Sequence, residues 1–386
     1  MSKGSVYLAG LVMAVCSSFS TAPLADKEAR VYTGTLGGMP IVLELDSSSG
    51  EGRYFYRKYR KDLQLSGKKQ GQTLVLDEGQ RRHDGDAPGP QLHLVTTADG
   101  LDGEWRSGKG KVLKIELEPA RLAEVPGGTL PYIARLHDSA PYEYLRLQGM
   151  TLKPGKTETF NGYSLQWWIE PQTKLRLFEV VSGYSVEERQ RINQQLLGRL
   201  WQEVVGYYGC LAGGEGSSYE QTIKPLLMTP SVISVNIGTA YSCGGPYPDH
   251  NNVALNLDAK TGQPLVLEDV LWVGEGKPLH YDEPDSQSDA SADGFAAFSA
   301  YRSNEFAPWL VAQFLKLYPN PMSSDEECAY SEEDPWRFPS WYFTDKGLMI
   351  EPSFPHVAAA CGAVEWSVLP YSLVSKHPGG VALQLP

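Results

Sequence analysis

The chain has 386 residues, of which 41% are hydrophobic and 11% aromatic, and its formal net charge is −12 at pH 7. This composition excludes a disordered chain, because disordered chains are poor in aromatic residues. The acidic balance argues against nucleic acid as a general partner, since phosphate binding depends on lysine and arginine.

The first 25 residues carry the pattern of a secretory signal peptide. Lys3 supplies a positive charge, Val6–Val15 form an apolar run, and small residues lead to Ala25. An apolar run of this length is too short to span a membrane. We therefore predict cleavage after Ala25 and a periplasmic mature chain. A lipoprotein attached through Cys16 is the alternative, but Val15 stands where lipid attachment normally requires Gly or Ala.

Residues 26–118 are predicted to form a series of short strands. From Val31 to Leu117 apolar and polar residues alternate with a period of two, as at Ile41, Leu43 and Leu45. Clusters of turn-forming residues separate the alternating segments at 47–52, 66–71, 85–90 and 107–110. Alternating strands with turns about every ten residues predict an antiparallel meander, either open or closed into a small barrel.

A connector rich in Pro and Gly, residues 119–155, is predicted to follow, with a few strand-like pieces. Residues 156–386 then combine antiparallel strands with two main helices, so the predicted fold class is α+β. The first helix begins at Ser185, which forms a capping box with Glu188, and continues to about Gly206. The second runs from Phe306 to Leu317.

Several strands are predicted in the same module. Ser231–Tyr241 and Asn252–Leu257 have the composition of strands, and a turn at Ala259–Gly262 is predicted to lead into a hairpin partner at Leu265–Leu267. No stretch after the leader approaches the ~20 consecutive apolar residues of a membrane helix. We therefore expect no transmembrane segment.

The chain has five cysteines, and removal of the leader would take Cys16 away. The remaining four, Cys210, Cys243, Cys328 and Cys361, form an even set, which in an exported chain indicates disulfides. Four cysteines allow three pairings; we favour Cys210 with Cys243 and Cys328 with Cys361. Their spacing does not match a zinc site, so we predict neither a metal nor a cofactor.

The charge is distributed unevenly along the chain. Residues 51–115 hold thirteen Lys and Arg against nine Asp and Glu, whereas residues 282–334 hold twelve acids against Arg302 and Lys316. The acidic segment includes Asp325, Glu326 and Glu327, which we treat as candidate binding residues. Such asymmetry can steer a cationic protein toward the acidic end. A solvated acidic loop that only keeps the protein soluble is the alternative.

One local segment stands out as candidate chemistry. Residues 241–250 combine Cys243 with two glycines and two prolines and end in Asp249 and His250. These two residues could form an acid–base pair, because histidine exchanges protons near neutral pH. The alternative is a turn pinned by a disulfide, with an exposed histidine. Trp167 and Trp168 lie on opposite faces of one predicted strand, so we expect one of them to leave the core. Trp168 is our candidate for contact with a sugar or a protein, and ordinary packing is the alternative.

The C-terminal half resembles a known extracytoplasmic domain. The strings Asn256–Gly262 and Leu265–Val270, followed by Trp341–Leu348 and Val364–Leu373, are similar to the domain at the outer end of RsiV-type anti-sigma proteins, which also occurs beside the catalytic domain of some peptidoglycan deacetylases. The resemblance covers roughly residues 185–375. It implies a sensor that binds lysozyme, or an accessory to an enzyme of the cell wall.

Three functional hypotheses follow from these observations. The first is an exported, non-enzymatic binding protein of the bacterial envelope that recognises a cell-wall glycan or a cationic, lysozyme-like protein. The second is an envelope hydrolase that uses Asp249 and His250. The third is a purely structural component of the envelope.

Overall fold

A computed structural model describes residues 29–79, 89–214, 216–245, 247–281, 291–323 and 328–385. The predicted signal peptide and Cys16 lie outside the described residues, as do Asp325, Glu326 and Glu327.

The N-terminal part is a closed, eight-stranded antiparallel barrel, in which each strand pairs with the next and β1 also pairs with β8. Of the two predicted forms of the meander, the closed one is therefore present. Every second residue points inward, and the interior is filled mainly by leucines such as Leu43, Leu76 and Leu94. The strands are β1 Arg30–Leu36, β2 Met39–Asp46, β3 Glu51–Tyr56, β4 Asp62–Gln70, β5 Thr73–Glu78, β6 Gln91–Thr96, β7 Leu101–Arg106 and β8 Val112–Pro119.

The turn predicted at 66–71 is wrong, because β4 continues to Gln70. Gly67 lies inside the strand, where a Cβ atom would stand only 2.0 Å from the carbonyl oxygen of Val75. This glycine therefore allows two strands to approach closely. The turn itself is made at Gly71, whose φ of 64° is in the region that glycine adopts readily.

Up to Lys153, where a strand begins, the connector contains two short helices in place of the expected strand-like pieces. Helix α1 is Pro131–Ser139 and helix α2 is Pro141–Leu147. Each begins with a proline, whose missing N–H costs nothing at the first helical position. The prolines that indicated a loop in the sequence thus start helices.

The first half of the C-terminal module places two three-stranded antiparallel sheets beside one long helix. Helix α3, Val186–Leu211, is capped by the predicted box, in which Ser185 and Glu188 each accept a backbone hydrogen bond from the other. The strands are β9 Lys153–Phe160, β10 Tyr163–Ile169, β11 Arg176–Val180, β12 Ser218–Met228, β13 Val232–Ser242 and β14 Asp249–Asp258.

The second half forms a further core. The hairpin strand predicted at Leu265–Leu267 is wrong. The chain makes a single β-bridge, between Pro264 and Leu257, and then enters a short helix. At the start of this helix, the Asp269 carboxylate accepts from the backbone N–H of Val266. A π-helical turn, Arg302–Phe306, joins the helix Ser291–Tyr301 to the helix Ala307–Leu317. The elements are α4 Leu267–Val270, α5 Ser291–Tyr301, α6 Ala307–Leu317, α7 Pro319–Ser323, β15 Ser340–Phe343, β16 Gly347–Glu351, β17 Val368–Pro370 and α8 Tyr371–Val374, with 3₁₀ turns at Asp334–Trp336 and His356–Gly362.

The observed architecture is α+β, as predicted. The four cysteines form two disulfides, Cys210–Cys243 and Cys328–Cys361, which is the pairing of neighbours that the sequence favoured. Within the described ranges, none of the helices is both long enough and apolar enough to cross a membrane.

Candidate functional site

The sheet β12–β13–β14 has two faces of different character. Apolar side chains such as Ile233, Val235 and Ile237 pack with α3 in the main core. Because side chains alternate along a strand, the residues between them lie on the opposite face. There the strand register places Glu220 and His250 on either side of Ala240, and Thr222 and Asn252 on either side of Gly238.

This second face forms the floor of a groove of about 600 Å³. One wall is the end of β16 at Glu351, and another is the segment 352–363 that follows it. The lining is largely polar. It comprises Glu220, Thr222, Gly238, Thr239, Ala240, Asp249, His250, Asn251, Asn252, Ser340, Glu351, Pro352, Ser353, Phe354, Ala359, Gly362 and Ala363.

Gly238 keeps the middle of the floor open. A Cβ atom at this position would meet the side chains of Asn252 and Thr222 at 3.6 and 3.7 Å, which is ordinary contact. Its φ lies outside the left-handed region, so a larger residue can take the same backbone conformation. A larger side chain here would fill the groove without straining the sheet.

The groove is acidic. Two carboxylate side chains, Glu220 and Glu351, face the groove, and Asp249 contributes to its lining from the neighbouring position on β14; the described lining contains neither lysine nor arginine. Lys224 is on the same sheet face but lines a separate depression of about 440 Å³. The groove is therefore complementary to a cationic ligand.

Glu351 is the most constrained of these carboxylates. It is half-buried, and it accepts hydrogen bonds from the Tyr342 hydroxyl at 3.2 Å and from the Asn252 amide at 3.5 Å. Burial raises the pKa of Glu351 above its ordinary value of 4.5, and the two hydrogen bonds oppose this rise. A positive charge placed beside it would be favoured, because it would relieve the cost of a half-buried anion.

Asp249 and His250 both reach the groove, but not as a pair. They are adjacent on β14, so their side chains leave the strand on opposite faces. The Asp249 carboxylate accepts from the Tyr241 hydroxyl at 3.5 Å and from the backbone N–H of His250 at 2.8 Å. This is not the geometry in which a carboxylate orients an imidazole for acid–base chemistry.

The two disulfides brace different borders of the groove. Cys243 lies in the loop between β13 and β14, and its bond to Cys210 ties that loop to the end of α3. Cys361 lies in the 3₁₀ turn of the 352–363 wall, and its bond to Cys328 ties the wall to the adjoining core. Both borders are thus held covalently to the elements behind them.

Trp168, another predicted binding residue, does not join this site, and Asp325, Glu326 and Glu327 lie outside the described residues. Trp168 is half-buried on β10, where its indole N–H donates to Glu179 at 2.6 Å, and it is absent from the described groove lining. Glu220 and Glu351 were missed by sequence reasoning. The register of β12 and β13 shows Glu220 on the polar face, but no local signal connects Glu351 to that face. Over the described ranges, no group of three or more His, Cys, Asp or Glu side chains is arranged to hold a metal ion.

The chain matches no family model and no curated protein. It is similar to a solved structure of a DUF3298 family member from Bacteroides fragilis NCTC 9343, with 14% sequence identity and a TM-score of 0.34. The likeness covers 60% of this chain and 94% of that chain. A likeness at this level carries no argument about function, so the resemblance to RsiV-type proteins stays a prediction.

Proposed function

We propose that this protein is an exported, non-enzymatic binding protein of the bacterial envelope, and that its groove takes a cationic protein of the lysozyme kind. The observation that carries the proposal is the lining itself, which presents the carboxylates of Glu220 and Glu351 and no lysine or arginine among the described residues. The signal-peptide pattern and the two disulfides support an oxidising compartment outside the cytoplasm.

The acidic segment of the sequence adds to this complementarity. Residues 282–334 carry a net charge of −10 by count, twelve acids against two basic residues. A field of one sign accelerates the encounter with an oppositely charged partner and makes the association depend on salt. A cell-wall glycan is the other ligand to be tested, because the amide-bearing Asn252 and the aromatic Phe354 also line the groove.

The proposal is tested by measuring the binding of the mature protein to a c-type lysozyme and to soluble peptidoglycan fragments by titration calorimetry. We expect lysozyme to bind at low ionic strength and to weaken at least tenfold when salt is raised from about 50 to 300 mM, because surface charges are screened. Binding of peptidoglycan alone would replace the proposed partner class with a glycan. Binding of neither at low salt would overturn the proposal and favour a purely structural role.

Two variants locate the binding in the groove. Gly238→Leu fills the floor and Glu220→Gln removes one carboxylate, and both are expected to weaken lysozyme binding. Glu116→Gln is the matched control, since it removes one exposed carboxylate from the barrel, at 56% side-chain exposure. Equal loss in Glu116→Gln would mean that total charge, and not the groove, controls binding.

The hydrolase hypothesis has its own test. His250→Ala would abolish hydrolysis of cell-wall material while leaving thermal stability almost unchanged, if His250 acted in catalysis. We expect the wild-type protein and His250→Ala to show the same absence of turnover. A turnover that His250→Ala removes would support the hydrolase in place of the binding protein.

A further inference from the structure

Strand β14 is an edge strand. Its hydrogen bonds with the loop that follows it show which of its residues point their backbone N–H and C=O groups away from β13. The order of the sheet is β12–β13–β14, so β14 pairs with β13 on one side only. At its end, the carbonyl of Asn256 accepts from the N–H of Leu265 at 2.8 Å, and the N–H of Asp258 donates to Gln263 at 3.0 Å. Even-numbered residues of β14 therefore direct their backbone groups away from β13.

Because backbone groups alternate in direction along a strand, the same holds for the even-numbered residues of β14 that lie beside the groove. Asn252 and Ala254 also point their N–H and C=O groups to the outer side. Within the part of the chain that the structure describes, these groups have no backbone partner. The same two residues have their side chains on the groove face, so the open edge and the acidic groove adjoin each other.

Strand β9, another edge strand, shows one way in which an exposed edge is protected. Strand β9 is the edge of its own sheet, and it begins with Lys153, Pro154 and Lys156, all exposed. Lysine and proline on an edge prevent another chain from pairing with it. Strand β14 contains neither residue type between 249 and 258. Neither lysine nor proline therefore prevents another chain from pairing with the edge of β14 beside the acidic groove.

We propose that the cationic partner contributes an extended segment that adds to the open edge of β14 as an antiparallel strand, with a lysine or arginine directed to Glu351. An added strand lies about 4.8 Å from β14, and residues opposite Asn252 and Ala254 place their side chains on the groove face. A basic side chain there is within reach of Glu351, which already lies 3.5 Å from the Asn252 amide. This inference rests on the proposed function and specifies how the partner is held.

Antiparallel pairing fixes which peptide N–H groups are used. In a hydrogen-bonded antiparallel pair, opposed residues share a face and exchange both bonds. Every residue of the added strand whose side chain faces the groove must therefore also donate its backbone N–H to β14. For a ten-residue peptide of alternating lysine and threonine, the lysines occupy these positions.

The first test measures the binding of three such peptides to the mature protein by fluorescence anisotropy at low salt. We expect the unmodified peptide to bind, the peptide N-methylated on its lysines to bind at least tenfold more weakly, and the peptide N-methylated on its threonines to bind like the unmodified one. All three peptides carry the same charge. Equal affinities for all three would overturn strand addition.

The second test changes the protein. Ala254→Pro removes one outward N–H while leaving the pairing with β13, and proline is tolerated on edge strands. Ala254→Ser keeps the N–H and is the matched control. We expect Ala254→Pro, and not Ala254→Ser, to lose at least tenfold in affinity for the unmodified peptide at an unchanged melting temperature. If Ala254→Pro does not fold, the N-methylated peptides decide the question.

These outcomes separate the inference from the proposed function. If lysozyme binds and Glu220→Gln weakens it, while Ala254→Pro binds lysozyme and peptide like the wild type, strand addition is wrong and groove binding stands. If lysozyme does not bind at low salt, the proposed function fails, and the inference fails with it.

Discussion

Arg146 of α2 and Asp62 of β4 form an ion pair at 2.7 Å in which both side chains are completely buried. The two residues are 84 positions apart in sequence, and their pair joins the barrel to the helical connector. Glu143 binds the same guanidinium at 2.6 Å, and the Tyr142 hydroxyl donates to Asp62 at 2.7 Å. Arg146 also lies over the ring of Phe55, at 4.5 Å. A buried charge network therefore links the barrel to α2.

We expect Arg146→Ala to lower the free energy of unfolding by about 3–5 kcal/mol, because it removes the fully buried partner of Asp62 and leaves this carboxylate only a longer contact with Arg53, at 3.4 Å. Urea denaturation followed by fluorescence measures this loss. Arg106→Ala is the matched control, since Arg106 pairs with Glu104 at 53% and 48% side-chain exposure and should cost less than about 1 kcal/mol. Similar losses in the two variants would contradict a structural role for the buried pair.

Glu351→Gln is expected to stabilise the unliganded protein at neutral pH while weakening the binding of a cationic partner. Burial raises the pKa of Glu351, so the folded protein binds this proton more tightly than the unfolded chain does. The resulting stabilisation is complete below the ordinary pKa and is lost as pH rises through the raised value. The difference in melting temperature between Glu351→Gln and wild type should therefore disappear at acidic pH.

Glu268 provides the contrast. Burial raises its pKa as well, but its carboxylate lies 2.7 Å from Arg302, and the two side chains are 2% and 7% exposed. Glu268→Gln leaves a buried guanidinium without its partner, so we expect a loss of about 3–5 kcal/mol at neutral pH. Thermal and urea denaturation at pH 7 should give opposite signs for the two glutamate variants. A stabilised Glu268→Gln would show that the ion pair is not important for folding.

The two disulfides allow a matched comparison, because each spans a sequence separation of 33 residues. Replacing both cysteines of either bridge with serine should cost about 3–4 kcal/mol of stability, since the closed loops are equally long. Loss of Cys328–Cys361 should reduce lysozyme binding more, because Cys361 lies in the groove wall beside Gly362. Calorimetric titration of both double variants tests this. An equal reduction would mean that the wall does not shape the site.

Ser185→Ala should lower the free energy of unfolding by about 1 kcal/mol, because it removes the side-chain acceptor for the N–H of Glu188 at the start of α3. Thermal denaturation of this variant and of Ser185→Thr, which keeps the acceptor, measures the capping contribution. Equal stability of Ser185→Ala and wild type would show that tertiary packing alone holds this end of the helix.

Much of the fold could be predicted because it depends on neighbours in the chain. The capping box at Ser185, the alternation of Ile41, Leu43 and Leu45, and the strand ending near Leu257 all show patterns that a window of a few residues contains. The connector was predicted wrongly because Pro131 and Pro141 suit both a loop and the first turn of a helix. Only the packing of α2 against Phe55 and Val42 of the barrel distinguishes the two.

The groove of the candidate site, in contrast, could not be predicted from neighbours in the chain. Local composition was enough to specify the α+β class, the strand-rich N-terminal part and Asp249 and His250 as conspicuous residues. The closure of β8 onto β1 and the meeting of Asn252 with Glu351, 99 residues later, were decided by tertiary structure. The physical reason is that strand pairing and sheet packing join segments whose separation leaves no periodic trace in the sequence. The charge of the chain was readable from its composition, whereas the place where that charge meets an open strand edge was not.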